Sequence, residues 1–506
     1  MEVLLLLIAS FLLFPQDLAA ERPTGFLKVS EGRVVDGSGT PVLLKGFNVE
    51  FRDFRGALGE EDIKRIAGAG ANVIRLGLDY RSFEAAPFRY DEEGFRLLDS
   101  VLGWCERYGV YVILDMHLAQ GIQNPHDFAA HRTKRYEFWK RREYRMRFYS
   151  LWAELAKRYA DRGIIAGYDL LNEGVPPGAG HYRKVMQRAA RAIRAHDKSH
   201  LLIVEEMRSP RGGKRLVPIE DANTLYSIHF YYPPGFTLYT TTDRRLILHY
   251  PGEAATGGDK IGEARTCIAA GSEGWRRISV AAVPPEGAEV LMVNIESSGN
   301  RGRVWFDDIA LEGDGHSIDL PAPLVPNNSF EIDYPGFNWR TQGRGVGVTR
   351  KTAKTGTRSL LFDGNTAGAS ARGSAIEAGK GRYSLSAWVK SKDSTGKSCL
   401  SLSWHRKKIV GRVDKETLRK RFRYALEFRA RHNAPLYVGE FGAHEYPDTG
   451  GMLRYLGDVL GIMEDSGMHW SFWTYYSGYP GIGLFTGEAP HLSRPAALDA
   501  LKAYMK

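Results

Sequence analysis

Ala166-Gly-Tyr-Asp-Leu-Leu-Asn-Glu173 and Leu436-Tyr-Val-Gly-Glu-Phe-Gly442 are the two stretches whose reading decides the fold. Each is a short, almost wholly apolar run that carries a carboxylate, Glu173 or Glu440, at its C-terminal end. Such runs read as parallel strands buried on both faces, because a strand with one face in water would alternate polar and apolar residues. In a (β/α)8 barrel the active site lies at the C-terminal ends of the strands. Two carboxylates facing each other across that mouth are equipped for glycosidic-bond cleavage.

Working outward, residues 41–229 alternate strand and helix. Strands are expected at 42–48, 72–78, 111–117, 167–173, 201–206 and 225–231. Between them, 92–108, 143–159 and 182–196 repeat apolar residues at three- and four-residue spacing, the mark of amphipathic helices. The pattern breaks at about residue 237. From there to 411, short alternating runs such as Arg277-Ile-Ser-Val-Ala281 and Tyr383-Ser-Leu-Ser-Ala-Trp-Val389 are punctuated by Gly, Asp and Ser, which predicts an all-β sandwich. After Asp414 the alternation resumes with strands at 436–441 and 470–475. Six strands before the interruption and two after it make eight. The expected fold is therefore α/β, a (β/α)8 TIM barrel with an all-β jelly-roll sandwich inserted after strand six. A doubly wound sheet fits less well, because no Gly-rich phosphate turn follows the first strand.

The chain has 506 residues, 43% hydrophobic and 25% charged, enough for a barrel of about 250 residues and a second unit. The net charge of +10 is spread over predicted helix faces (140–147, 412–431) and forms no tract, so a nucleic-acid partner is not expected. The apolar run 3–14 followed by Leu18-Ala19-Ala20 resembles a secretory signal peptide, although Glu2 stands where a basic residue is usual. The expectation is export, to the medium or a periplasm, with no later membrane span. Three cysteines argue against a dense disulfide framework. Cys105 reads as a buried thiol; Cys267 and Cys399, both in the interruption, could pair if the chain is exported, and the sequence leaves that open. Their spacing carries no metal signature.

Several predicted strand ends place polar groups in the mouth: Arg75, His117, Asn172, Glu173, His229, Tyr231, Glu440 and Trp473. The segments Ala71-Asn-Val-Ile-Arg-Leu76, Leu114-Asp-Met-His117, Leu171-Asn-Glu173, His229-Phe-Tyr231, Gly439-Glu-Phe-Gly442 and Trp473 together resemble glycoside hydrolase family 5, the family of many cellulases and mannanases. The resemblance implies a retaining hydrolase acting on a polysaccharide or oligosaccharide without cofactor or metal. Glu173 would be the acid/base and Glu440 the nucleophile. Arg75 and Tyr231 would hold Glu440 ionised, and Asn172 would bond the sugar 2-hydroxyl. His117 and His229 would bind substrate hydroxyls and brace the site, and Trp473 would stack on a sugar face. Asp115 and Glu206 read as structural carboxylates. The substrate expected is a β-glucan, in the manner of an endo-β-1,4-glucanase. Gly174 stands where the family often has proline, and Gly121-Ile-Gln-Asn124 resembles exo-acting β-1,3-glucanases. An exo-β-1,3-glucanase, a β-mannanase, a transglycosylase and a non-catalytic carbohydrate-binding barrel are therefore the alternatives.

The expected division is a signal peptide over 1–20, barrel over 21–237, insert over 238–411 and barrel again over 412–506. The insert resembles a carbohydrate-binding-module jelly roll whose halves, Gly274 to Glu312 and Asn328 to Val389, come in reversed order, with Pro321-Ala-Pro-Leu-Val-Pro326 between them. One circularly permuted sandwich is expected. Its tryptophans, Trp275, Trp305, Trp339, Trp388 and Trp404, are either sugar-facing or core. Asp307 and Asp308 are expected to make strand-end hydrogen bonds in preference to binding calcium.

Overall fold

A strand buried on both faces needs neighbours on both edges and cover on both sides, and here closure supplies the edges. In the computed structural model, eight parallel strands form a closed barrel: β1 (Lys45–Glu50), β2 (Val73–Asp79), β3 (Tyr111–Leu118), β4 (Ile165–Asp169), β5 (Leu201–Glu205), β6 (Thr224–Phe230), β7 (Leu436–Phe441) and β8 (His469–Phe472). Each pairs with the next, and β8 pairs with β1. The structure describes residues 25–124, 136–209, 213–237, 249–269, 273–313, 330, 339–445, 449–478, 481–487 and 489–505. The expected signal segment and the 321–326 linker lie outside them. None of the described helices is long and apolar enough to cross a membrane.

Two strand ends differ from the expectation. β4 stops at Asp169, not at Glu173. Leu170 and Asn172 still donate to Ile203 and Met116 carbonyls (3.0 and 3.1 Å), but Glu173 then turns to φ +46°, where no ladder continues. β8 stops at Phe472, so Trp473 lies just beyond it.

Inside the barrel, inward positions repeat every second residue. Val73, Tyr111, Ile113, Leu201, Ile203, Leu225 and Tyr437 fill the lower layers with one apolar cluster. The layer above is polar: Arg75, Asp115, Asp169 and Glu205 are all fully buried. Outside, helices lay their apolar stripes on the strands. In Glu92–Tyr108 that stripe is Phe95, Leu98, Val101, Leu102 and Cys105. Asp91 caps its start by accepting from Glu93 N at 3.0 Å, and Gly109, at φ +70°, ends it.

The interruption is two five-stranded antiparallel sheets. One orders Gly252–Ala269, Lys397–Val413, Val290–Ser298, Ala369–Glu377 and Arg340–Gln342. The other orders Arg276–Ala282, Tyr383–Lys392, Arg303–Gly313, Ser359–Asp363 and Val346–Thr349. Both sheets take strands from before and after the linker, and both feed one core, from Leu291 and Leu402 on one side to Phe306 and Leu385 on the other. Trp305, Trp339 and Trp404 are buried. Asp307 accepts from the backbone of Lys354 at 2.7 Å and Asp308 from Thr355 Oγ1 at 2.6 Å.

The long ribbon of Gly252–Ala269 and Lys397–Val413 joins sandwich to barrel. Its root is held where the Tyr250 hydroxyl donates to Asp458 (2.8 Å) and Arg454 donates to the Tyr250 carbonyl (2.9 Å). Farther along, Cys267 and Cys399 are direct cross-strand partners and form a disulfide. Replacing both by serine is expected to cost the sandwich about 2–4 kcal/mol. Denaturant unfolding should show a loss that added reductant reproduces in the parent protein.

Candidate active site

The polar layer is organised by one arginine. Arg75 has no solvent exposure and meets four carboxylates: Asp115 (3.0 Å), Asp169 (2.9 Å), Glu205 (2.6 Å) and Glu440 Oε1 (3.0 Å). Asn48 and Asn172 each turn a side-chain oxygen to it at 3.0 Å. Four negative charges around one guanidinium are too many for a dry interior. Burial, then the neighbouring Glu205, pushes Asp169 well above the ordinary carboxylate range, which keeps a proton there.

Glu440 reaches the mouth through an irregularity. Tyr437 points into the barrel, so a regular strand would send Gly439 inward and Glu440 outward. The register with β6 slips between Ile228–Val438 and His229–Glu440, and this bulge re-aims the glutamate. Gly439 is needed there, since a Cβ would lie 2.6 Å from Ser227 Oγ and 3.2 Å from His229 Nε2. Arg75 holds Oε1, and the Tyr231 hydroxyl donates to Oε2 at 3.0 Å.

Glu173 sits in its left-handed turn because Glu205 pins it: the Glu173 backbone N–H donates to Glu205 Oε2 at 2.7 Å. Its own carboxylate takes His229 Nδ1 at 2.9 Å, Asn124 Nδ2 at 3.3 Å and an ion pair with Arg208. Burial alone would raise this carboxyl, but Arg208, His229 and Lys214 outweigh it and hold Glu173 well below the ordinary range. Oxygens of Glu173 and Glu440 lie within 4.8 Å of each other, and a His229 nitrogen lies within that distance of both.

His229 links the pair. Besides Glu173, its Nδ1 lies 3.4 Å from Glu440 Oε2, and its Nε2 lies 3.2 Å from Glu205 Oε1. Burial would lower the imidazole, but Glu205, Glu440 and Glu173 raise it to about 10. Both nitrogens thus face carboxylates, Nδ1 in a hydrogen bond and the buried Nε2 in an ion-pair contact that lacks hydrogen-bond alignment.

On the other side, His117 Nδ1 bonds Asp115 at 2.8 Å, and its ring stacks on Trp473 with centroids 5.4 Å apart and planes 12° from parallel. One indole face is therefore covered by imidazole. Glu50, at the end of β1, lies 3.7 Å from His117 Nε2, and burial raises its carboxyl. Asn172 uses its side-chain oxygen on Arg75, so its NH2 group is the part that can donate elsewhere. Glu206 braces the mouth by accepting from Lys214 at 2.6 Å and from Tyr424.

The structure thus gathers all eight residues expected from sequence around one mouth. It adds Asn48, Glu50, Asp169, Glu205 and Arg208. Glu205 could have been found by counting inward positions from Leu201 and Ile203, and Asn48 and Glu50 by counting from Gly46. Asp169 and Arg208 carry no such signal. Asp115, Asp169 and Glu205 are spaced like metal ligands, but the cation between them is the Arg75 guanidinium.

Residues 35–267 match the cellulase family, glycosyl hydrolase family 5. The chain is 32% identical over 252 residues to a beta-xylosidase of Phanerodontia chrysosporium, covering 42% of this chain and 53% of that protein. It is 35% identical over 182 residues to endoglucanase C of Acetivibrio thermocellus, covering 35% of this chain and 51% of that protein. It therefore spans about half the length of these curated relatives. Among solved structures, an endoglucanase of Thermotoga maritima aligns with a TM-score of 0.48 at 16% identity, over 90% of this chain and 96% of that one.

Proposed function

Because its barrel belongs to glycosyl hydrolase family 5, we propose that this chain is a retaining β-glycosidase that cleaves by double displacement, with Glu440 as nucleophile and Glu173 as acid/base. The observation that carries this is the approach of the two carboxylates to within 4.8 Å. A separation of about 5 Å suits direct attack by one carboxylate, whereas an inverting site leaves about 6.5–9.5 Å for a water.

In the first step a Glu440 oxygen bonds the anomeric carbon while Glu173 gives a proton to the departing oxygen. In the second, Glu173 takes a proton from water, whose oxygen bonds the anomeric carbon and releases Glu440. Arg75 and Tyr231 each hold one oxygen of Glu440 and so aim it. Tyr231→Phe removes one bond to that charge, worth about 1.5–3 kcal/mol. It should lower kcat by about 10- to 100-fold with KM little changed.

The proposed substrate is a β-glucan, with the β-1,4 linkage first; the name of the endoglucanase relative supports it. An exo-β-1,3-glucanase is the second reading, supported by the Gly121–Asn124 segment, whose Asn124 reaches Glu173. The apolar run at 3–14 and the Cys267–Cys399 bond support export.

A panel of polysaccharides and aryl glycosides, with the product anomer followed by proton NMR, tests all of this. Retention is expected, with the β-anomer first. Inversion, or binding without hydrolysis, would remove the double-displacement reading.

A further inference from the structure

An acid/base must be protonated when the glycosidic bond breaks, yet Glu173 is surrounded by cations. Arg208 Nη2 and His229 Nδ1 both meet Glu173 Oε1, and Lys214, bonded to Glu206, stands behind them. Asn124, at Oε2, is a neutral partner. Glu440 and Glu205 are the facing anions, and Glu205 is engaged with Arg75 and the Glu173 backbone.

Arg208 differs from the other groups in its exposure. His229 is buried and wedged between three carboxylates. The Arg208 side chain is 27% exposed and stands on a short hairpin, Met207–Arg208 paired with Lys214–Arg215, that follows β5. Its backbone N–H donates to the carbonyl of Gly174, the residue after Glu173, at 2.9 Å, so the hairpin is registered on the acid's own turn. Around the ring of strands, Glu173 (β4) and Glu440 (β7) have Arg208 and Tyr231 between them on the β5–β6 side. Trp473, Glu50 and His117 lie on the β8–β1–β3 side. Trp473 offers a sugar-stacking face on one arc, and Arg208, bonded to the proposed acid, stands on the other, where that acid would meet the departing oxygen.

The geometry points to Arg208 as a positioning residue that occupies the glycosidic oxygen's place on Glu173 Oε1 and yields it when a leaving-group sugar enters. With Arg208 in place, Glu173 is a carboxylate. When the sugar oxygen replaces the guanidinium, Glu173 takes a proton from solvent. It passes that proton to the glycosidic oxygen as the C–O electron pair goes to the leaving group and Glu440 bonds the anomeric carbon. Protonation of the acid is thereby tied to occupancy of the leaving-group side. This rests on the acid/base reading of Glu173.

The test separates the two ideas. Carbon NMR of glutamate-labelled protein, with Glu173→Gln to assign the signal, reads the Glu173 carboxyl directly and needs no turnover. In Arg208→Met its pKa should rise by about 1–3 units, the effect of losing an adjacent arginine. The basic limb of kcat/KM on a cello-oligosaccharide should move up with it. Arg208→Lys keeps a cation and should keep the parent values. Arg208→Gln repeats the reading if the methionine variant does not fold. An unmoved carboxyl in both neutral variants overturns the proposal. A moved carboxyl in a protein that hydrolyses no glycoside upholds the Arg208–Glu173 coupling and removes the glycosidase reading.

Discussion

Glu440→Ala should hydrolyse β-glycosides about 10,000-fold more slowly than the parent chain or worse, with little loss of stability. The size follows from its proposed role: removing a nucleophile removes the covalent path, not one contact along it. In free energy this is about 5 kcal/mol of barrier. The barrel should tolerate it, because Arg75 keeps three other carboxylates at 2.6–3.0 Å. Azide should restore turnover by entering the vacated space. It would attack from the same face as Glu440 and leave an α-glycosyl azide. Steady-state kinetics and NMR of the product check both points. A variant that keeps even a hundredth of parent activity without azide would show that Glu440 is not the nucleophile.

The second large effect is on folding. Arg75→Met should cost about 3–5 kcal/mol, because it leaves the fully buried Glu205 and Asp115 without their cation and removes a hydrogen-bond partner of Asp169. The loss should shrink as pH falls, since protonating Glu205 removes its stranded charge. The sign can be seen at Glu205. Burial opposes its charge, but His229 and Arg75 hold its pKa down at about 2, so its contribution is present above the ordinary glutamate range and is lost on acidification. Without Arg75 that contribution is reduced at neutral pH. Urea unfolding at pH 7 and pH 4.5 should therefore show a smaller gap between parent and variant at the lower pH. An equal gap at both would mean that lost packing, not stranded charge, is the cause.

Much of the mouth was legible because barrel strands repeat a simple rule. An apolar run ending in a polar residue marks a C-terminal strand end, and Arg75, His117, His229 and Glu440 were read that way. Tyr231 and Trp473 were found although each lies one residue beyond its strand. What escaped depends on departures from regularity. The bulge at Gly439 decides which way Glu440 points, and nothing in Leu-Tyr-Val-Gly-Glu-Phe announces it. Glu173 lies four residues past β4, in a turn held by Glu205, so neither its conformation nor the nearness of Arg208 follows from strand periodicity. Asp169, deep in an apolar run, read as strand interior and is in fact a ligand of Arg75. In the insert, alternation marked the strands, but the burial of Trp339 and Trp404 required the packing of both sheets.

The position of the insert also sets the order in which the ribosome can finish the molecule. β6 ends at Phe230 and its partner β7 begins at Leu436, so 205 residues (436 − 230 − 1) must be synthesised between them. At about 5–20 residues per second this takes roughly 10 to 40 seconds. Throughout that interval the first six strands are an open sheet with β1 and β6 as bare edges, each a template for pairing with another chain. The sandwich, complete on its own core, can fold in the meantime. Nascent chains halted before Leu436 are therefore expected to aggregate through the barrel half, and those released after β8 to be soluble.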